Sequence, residues 1–111
     1  YSYNETLDLF GSKKKPTAIV AGGIGASAGA LRALKDLKLK VGKDVAFIAV
    51  DEWPMFDLLS SDLSSVYRDP DEIGRESARL ILNLITGGPT SQAVVQTHYR
   101  RRTSSRRVLN G

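Results

Sequence analysis

The sequence predicts an α/β fold with a mostly parallel sheet, and two observations carry that prediction. Two continuously apolar runs, Thr17–Ala21 (TAIVA) and Val45–Val50 (VAFIAV), flank a segment in which Ile24, Ala28, Leu31, Leu34 and Leu37 recur at three- and four-residue steps. Strand, amphipathic helix and strand in that order make a βαβ unit, whose crossover is right-handed in nearly all known cases. The second run ends in the acidic pair Asp51-Glu52 and has no polar alternation, so it reads as a strand buried on both faces. With 111 residues, the chain has length for one compact unit and too little for two.

Each element has its own local cause. Glu5–Phe10 reads as a turn or two of helix with Asn4 as its N-cap, and Gly11–Lys15 as a connector that Pro16 ends. After the βαβ unit, Pro54 fixes a loop or short helix over Trp53–Asp62, and Leu63–Arg68 reads as a third strand. Asp69, Pro70 and Glu72 then spell a helix start: a capping carboxylate, a proline at the first helical position and an acid three residues after the cap. Ile73, Leu80, Ile81 and Leu84 form its apolar stripe, Ser77 fills a gap on it, and Gly87-Gly88-Pro89 ends it. Ala93–Arg102 reads as a final strand at a sheet edge.

Composition narrows the chemistry. No cysteine is present, which removes disulfides, thiolate metal sites and cysteine nucleophiles, and the single His98 leaves no Ser-His-Asp relay and no histidine metal cluster. Catalytic residues, metal ligands and a cofactor are therefore not expected, and Ser60, Ser61, Ser64 and Ser65 read as turn and strand residues. No apolar run approaches the roughly 18 residues that cross a bilayer. The net charge of +4 is localised: up to His98 the acids slightly outnumber the bases, and Arg100, Arg101, Arg102, Arg106 and Arg107 supply the excess. Such a run reads as a solvated strand end, with contact to nucleic-acid phosphates as the alternative.

Two features can hold a ligand. Gly23, Gly25 and Gly29 open the first long helix directly after a strand, a pattern that serves either a dinucleotide pyrophosphate or plain helix packing. Asp51, beside Trp53, sits at the carboxyl end of a strand, where open α/β sheets bind ligands. It can accept two sugar hydroxyls next to an indole face, or simply cap the following loop. Asp51 and Glu52 are poorly placed as a catalytic pair, because neighbours on an extended strand point to opposite faces. The small Ala26, Ser27 and Ala30 offer a surface on which another subunit can approach closely.

The ordered set PTAIVAGG, GALRALKDLKLKVGKDVAFIAVDEWP, LSSVYRDPDEIGRESARLILNLITG and THYRRRTSS resembles the C-terminal part of the lactose-repressor (LacI/GalR) family of transcription regulators, over Pro16–Ser105. The resemblance implies a periplasmic-binding-protein-like type I core. Residues 1–111 would be a C-terminal fragment of it: 16–62 the C-terminal subdomain, 63–88 a strand and helix crossing the hinge to the other subdomain, and 93–105 a returning strand. It implies a non-enzymatic, cytoplasmic regulator that binds a sugar or sugar phosphate, forms a homodimer and reaches operator DNA through a helix-turn-helix that this sequence lacks. Asp51, Trp53, Gly23, Ile24, Pro70 and Ile73 fall at effector positions, and Gly25, Ala28, Arg32, Met55, Phe56 and Leu59 at the dimer interface. Gly23-Ile24 stands where the family has Asn-Asp, which removes a polar effector contact. A periplasmic-type solute receptor and a dinucleotide-dependent oxidoreductase using Gly23, Gly25 and Asp51 are the alternative readings.

Overall fold

A computed structural model describes residues 1–58 and 62–108. The elements are α1 (Ser2–Gly11), β1 (Ala18–Ala21), α2 (Ile24–Asp36), β2 (Ala46–Val50), a 3-10 turn (Pro54–Leu58), β3 (Ser64–Arg68), α3 (Pro70–Ile85), β4 (Thr97–Arg100) and a second 3-10 turn (Thr103–Ser105). The strands form one sheet in the order β1-β2-β3-β4, parallel across the first three and antiparallel between β3 and β4. The expected βαβ unit is β1-α2-β2, with Ile19 beside Phe47 and Ala21 beside Ala49.

One face of this sheet carries the core. Phe47, Ala49 and Ala21 from the strands meet Ala30 and Leu34 of α2, Phe10 of α1, and Phe56, Leu63 and Val45 from the connections. The opposite face is thinly covered: Val20 is 67% exposed, and Ala46, Ile48 and Val50 are half-buried. The second strand is therefore buried on one face only, in contrast to the sequence expectation. Its apolar run lacks alternation because both faces are apolar, but no helix among the described elements lies over the second one.

The buried face of α2 also differs from the expected stripe. Ser27, Ala30, Ala33 and Leu34 are buried, whereas Ala28 is exposed and Leu31 only half-buried. The cause is α1, which packs across α2 so closely that a Cβ on Gly29 would run into the Ser2 side chain and come within 3.0 Å of the Tyr3 nitrogen. Small side chains are needed where two neighbours, the sheet and α1, press on one helix. Ser27 and Ala30 thus serve this chain's own packing rather than the approach of another subunit. The Tyr3 hydroxyl donates to Asp36 at 2.7 Å, and the Arg32 guanidinium lies 5.3 Å from the Tyr3 ring centre. Asp36, first by its hydrogen bond, raises the Tyr3 pKa above the ordinary 10.0.

Helix α1 starts earlier than expected, at Ser2 after Tyr1, so Asn4 lies inside it rather than capping it. Helix α3 starts as the sequence spells: the Asp69 Oδ1 accepts from the amides of Asp71 at 2.9 Å and Glu72 at 3.3 Å, with Pro70 first in the helix. None of its residues is buried. Strand β4 is shorter than expected, Thr97–Arg100, and wholly exposed at the edge beside β3. Below it, the second 3-10 turn is pinned by Ser104, whose Oγ donates to the Phe47 carbonyl at 2.6 Å and accepts from the Ser64 amide at 2.7 Å.

Candidate functional site

The parallel strands β2 and β3 end side by side, and the chain turns sharply as it leaves β2. Asp51 takes up a left-handed backbone conformation (φ 66°) while its amide still donates to the Val66 carbonyl at 2.8 Å. Few residues other than glycine adopt that conformation, and aspartate is among the more tolerant. The turn sends the two neighbouring carboxylates to different partners. Asp51 faces Arg68 at the end of β3, with Nη2 2.9 and 3.0 Å from its two oxygens. Glu52 folds back over the β3–β4 pair, where it accepts from Ser65 Oγ at 2.6 Å, Arg100 at 2.7 Å and Arg102 at 3.1 Å.

Between these groups and the start of α3 lies a cavity of about 600 Å³. Its walls bring together Asp51, Trp53, Ile24, Pro70 and Ile73, five of the six residues expected at an effector site, from three separate segments of sequence. Gly23, the sixth, is not in the wall; it precedes α2 with φ 119° and frees the chain to enter the helix at Ile24. Trp53 is 43% exposed and meets Phe56 edge to face at 6.2 Å between ring centres. Arg100 lies over the Tyr67 ring at 4.7 Å, and Tyr67 stacks obliquely on His98.

Sequence reasoning does not mark Arg68, Arg100 and Arg102 as lining residues, yet all three stand in the wall beside Glu52, the strand-end neighbour of Asp51. The basic run reads as solvated, but Arg100 and Arg102 are both paired to Glu52, and only Arg101, Arg106 and Arg107 of that run remain outside ion pairs among the described residues. The antiparallel register that sets Arg100 opposite Ser65 decides this, and no local signal in the sequence announces that register.

The residues expected at a dimer interface fall in different surroundings. Ala28 and Met55 are exposed. Gly25 and Arg32 are exposed too, though each touches α1, Gly25 through the Ser2 hydroxyl on its carbonyl and Arg32 through the Tyr3 ring. Phe56 is 5% exposed and belongs to the core, so its ring is not offered to another surface. Leu59, like Ser60 and Ser61, lies outside the described residues. Ser64 and Ser65 are buried strand residues engaged in hydrogen bonds. Among the described residues there is no cluster able to hold a metal ion, and no helix long and apolar enough to cross a membrane.

Residues 2–105 match the model of a family described as the periplasmic binding protein-like domain. The chain belongs to that family. Among curated relatives, the HTH-type transcriptional repressor PurR of Pectobacterium carotovorum is 24% identical over 96 residues, covering 86% of this chain and 28% of the repressor. Among solved structures, a LacI family transcriptional regulator from Arthrobacter sp. FB24 in complex with lactose superposes with a TM-score of 0.82 at 27% identity, covering 95% of this chain and 40% of that one. A LacI family regulator from Bifidobacterium animalis gives a TM-score of 0.86 at 20% identity, covering 97% and 40%, and shows the fold alone. The chain thus spans under a third of the repressor's length and corresponds to a segment of the LacI/GalR effector-binding core. In the glycine-rich opening of α2, Gly29 accordingly serves close packing against α1 and Gly23 the turn into the helix, rather than a dinucleotide site.

Proposed function

We propose that this chain is the effector-binding and dimerisation segment of a LacI-type transcription regulator, non-enzymatic and cytoplasmic. In that reading, residues 16–62 belong to one subdomain, 63–88 cross the hinge and 93–105 return. The observation that carries it is the cavity at the carboxyl ends of β2 and β3, which gathers Asp51, Trp53, Ile24, Pro70 and Ile73. Asp51 would accept hydroxyl hydrogens of a sugar-like effector while Arg68, already on the same carboxylate, donates to a neighbouring hydroxyl oxygen. Trp53 and Ile24 would pack on the apolar faces of the sugar ring. The lactose seen in the Arthrobacter regulator supports a sugar as the class of ligand. Effector binding at a wall shared by strand ends and α3 would change the subdomain angle, and with it the grip of a helix-turn-helix on operator DNA.

The test is calorimetric titration of the chain with a panel of mono- and disaccharides, lactose included, followed by Asp51→Ala. Binding that falls at least tenfold on substitution supports the site. Affinity unchanged by Asp51→Ala places the ligand elsewhere, and no binding of any panel member refutes the sugar reading.

A further inference from the structure

The fold gathers at one end of the molecule a set of charges that are scattered in the sequence. All seven lysines fall in two stretches: Lys13, Lys14 and Lys15 on the approach to β1, and Lys35, Lys38, Lys40 and Lys43 from the last turn of α2 through its connection to β2. These segments meet where the Ala46 amide donates to the Thr17 carbonyl. The chain after β4 returns to the same end, since Gly42 lies against Thr103 and the Ser104 amide donates to the Asp62 backbone carbonyl; Arg106 and Arg107 come directly after. All nine cations are exposed, and none is in an ion pair among the described residues.

The acids in or beside those segments are Asp36 at the end of α2, Asp44 before β2 and Asp62 before β3. Two are occupied: Asp36 by the Tyr3 hydroxyl, Asp44 by the Lys40 amide at 2.7 Å. The opposite end, where the cavity lies, is nearly balanced: Asp51, Glu52, Asp69, Asp71, Glu72 and Glu76 stand there with Arg68, Arg75, Arg79, Arg100 and Arg102, and Asp51, Glu52 and Glu76 are in ion pairs. The α2 carboxyl terminus explains Lys35 and Lys38, whose charges suit its dipole. It does not explain Lys13–Lys15, Lys40, Lys43, Arg106 and Arg107.

We propose that this lysine-rich end is a contact surface for the phosphate backbone of duplex nucleic acid, without sequence selection. Dispersed ammonium groups acting as point charges suit a repeating phosphate lattice. Base stacking is not available, because these segments hold no exposed aromatic residue, which disfavours single strands. They also hold no large exposed apolar residue to insert below lipid headgroups, which disfavours a membrane. The surface lies opposite the cavity and does not depend on the effector reading.

The test is fluorescence anisotropy of the 111-residue chain with a duplex of about 20 base pairs of scrambled sequence, at salt between about 50 and 200 mM. Affinity is expected to fall at least tenfold over that range. Replacing Lys13, Lys14 and Lys15 together by Gln should weaken binding about tenfold or more and flatten the log–log salt dependence by about two units. The pair Lys40→Gln with Lys43→Gln probes the same surface through a different segment and should act in the same direction. Absence of binding at 50 mM salt, or duplex affinity unchanged in both variants, overturns the proposal. So does binding to phosphatidylserine-containing vesicles, or to an acidic polypeptide such as polyglutamate, without binding to the duplex.

Discussion

Helices α2 and α3 obtain their stability from opposite sources. Helix α2 has a glycine before it, no side-chain cap and a first turn without acids, yet it buries Ser27, Ala30, Ala33 and Leu34 between α1 and the sheet. Helix α3 has the Asp69 cap, Pro70 at its start, Asp71 and Glu72 in the first turn and a Glu76–Arg79 ion pair, yet it buries nothing. Local signals can specify a helix, but most helical stability in a folded protein comes from tertiary burial. The stripe of Ile73, Leu80, Ile81 and Leu84 is left half-buried or exposed among the described residues. The same holds for the thinly covered face of the sheet around Val20, Ile48 and Val50.

Truncating one side chain in each region separates the two sources most strongly. Phe47→Ala, at a fully buried position, should cost about 3–5 kcal/mol in urea denaturation. Leu84→Ala, half-exposed on α3, should change stability by no more than about 0.5 kcal/mol. Comparable losses from the two would mean that α3 is packed on something in solution.

A second contrast lies within the site, where Asp51 and Glu52 are neighbours with separate duties. The Glu52 carboxylate has one-quarter of its side chain exposed and holds Ser65, Arg100 and Arg102, so it ties the end of β2 to the edge strand. Glu52→Gln removes the charge from two arginines and should cost about 1–2 kcal/mol, with loss of protection in β4 by hydrogen exchange. Asp51→Asn should leave β4 protected, because the Asp51–Arg68 pair is more exposed and anchors no strand. Equal effects on β4 would show that the two carboxylates act as one cluster.

The features legible in the sequence divide from the illegible ones along the same line. The βαβ order, the cap at Asp69 and the placing of Asp51 at a strand end are legible because each is a local pattern with a physical cause. The buried face of α2 is not, since periodicity shows that a helix is amphipathic but not that Tyr3 and Ser2 will press on Gly25, Gly29 and Arg32. Nor is the fate of the arginine run, which depends on the β3–β4 register, or the convergence of seven lysines at one end, which depends on the whole topology. Asp69→Ala isolates one purely local signal and should cost about 1 kcal/mol of local helix stability. Exchange would rise in the first turn of α3, and the urea midpoint of the core would hardly move. A shift of that midpoint would show cooperative coupling of α3 to the rest.

The smallest expected effect concerns the seam that redirects α2. The Tyr3 hydroxyl donates to Asp36, and this bond, with a smaller contribution from burial, raises the Tyr3 pKa above 10.0. A group whose folded pKa is raised stabilises fully below its unfolded pKa and loses that contribution as pH climbs through the folded one. Through Tyr3 alone, the α1–α2 contact is therefore insensitive between about pH 5 and about 9 and loosens above about 10, where a phenolate would face the Asp36 carboxylate. Exchange of α1 amides, corrected for intrinsic pH dependence, reads this directly, and Tyr3→Phe should abolish the alkaline loosening while leaving Phe10 and the core in place. An alkaline transition that persists in Tyr3→Phe would show that the Tyr3–Asp36 contact is not its cause.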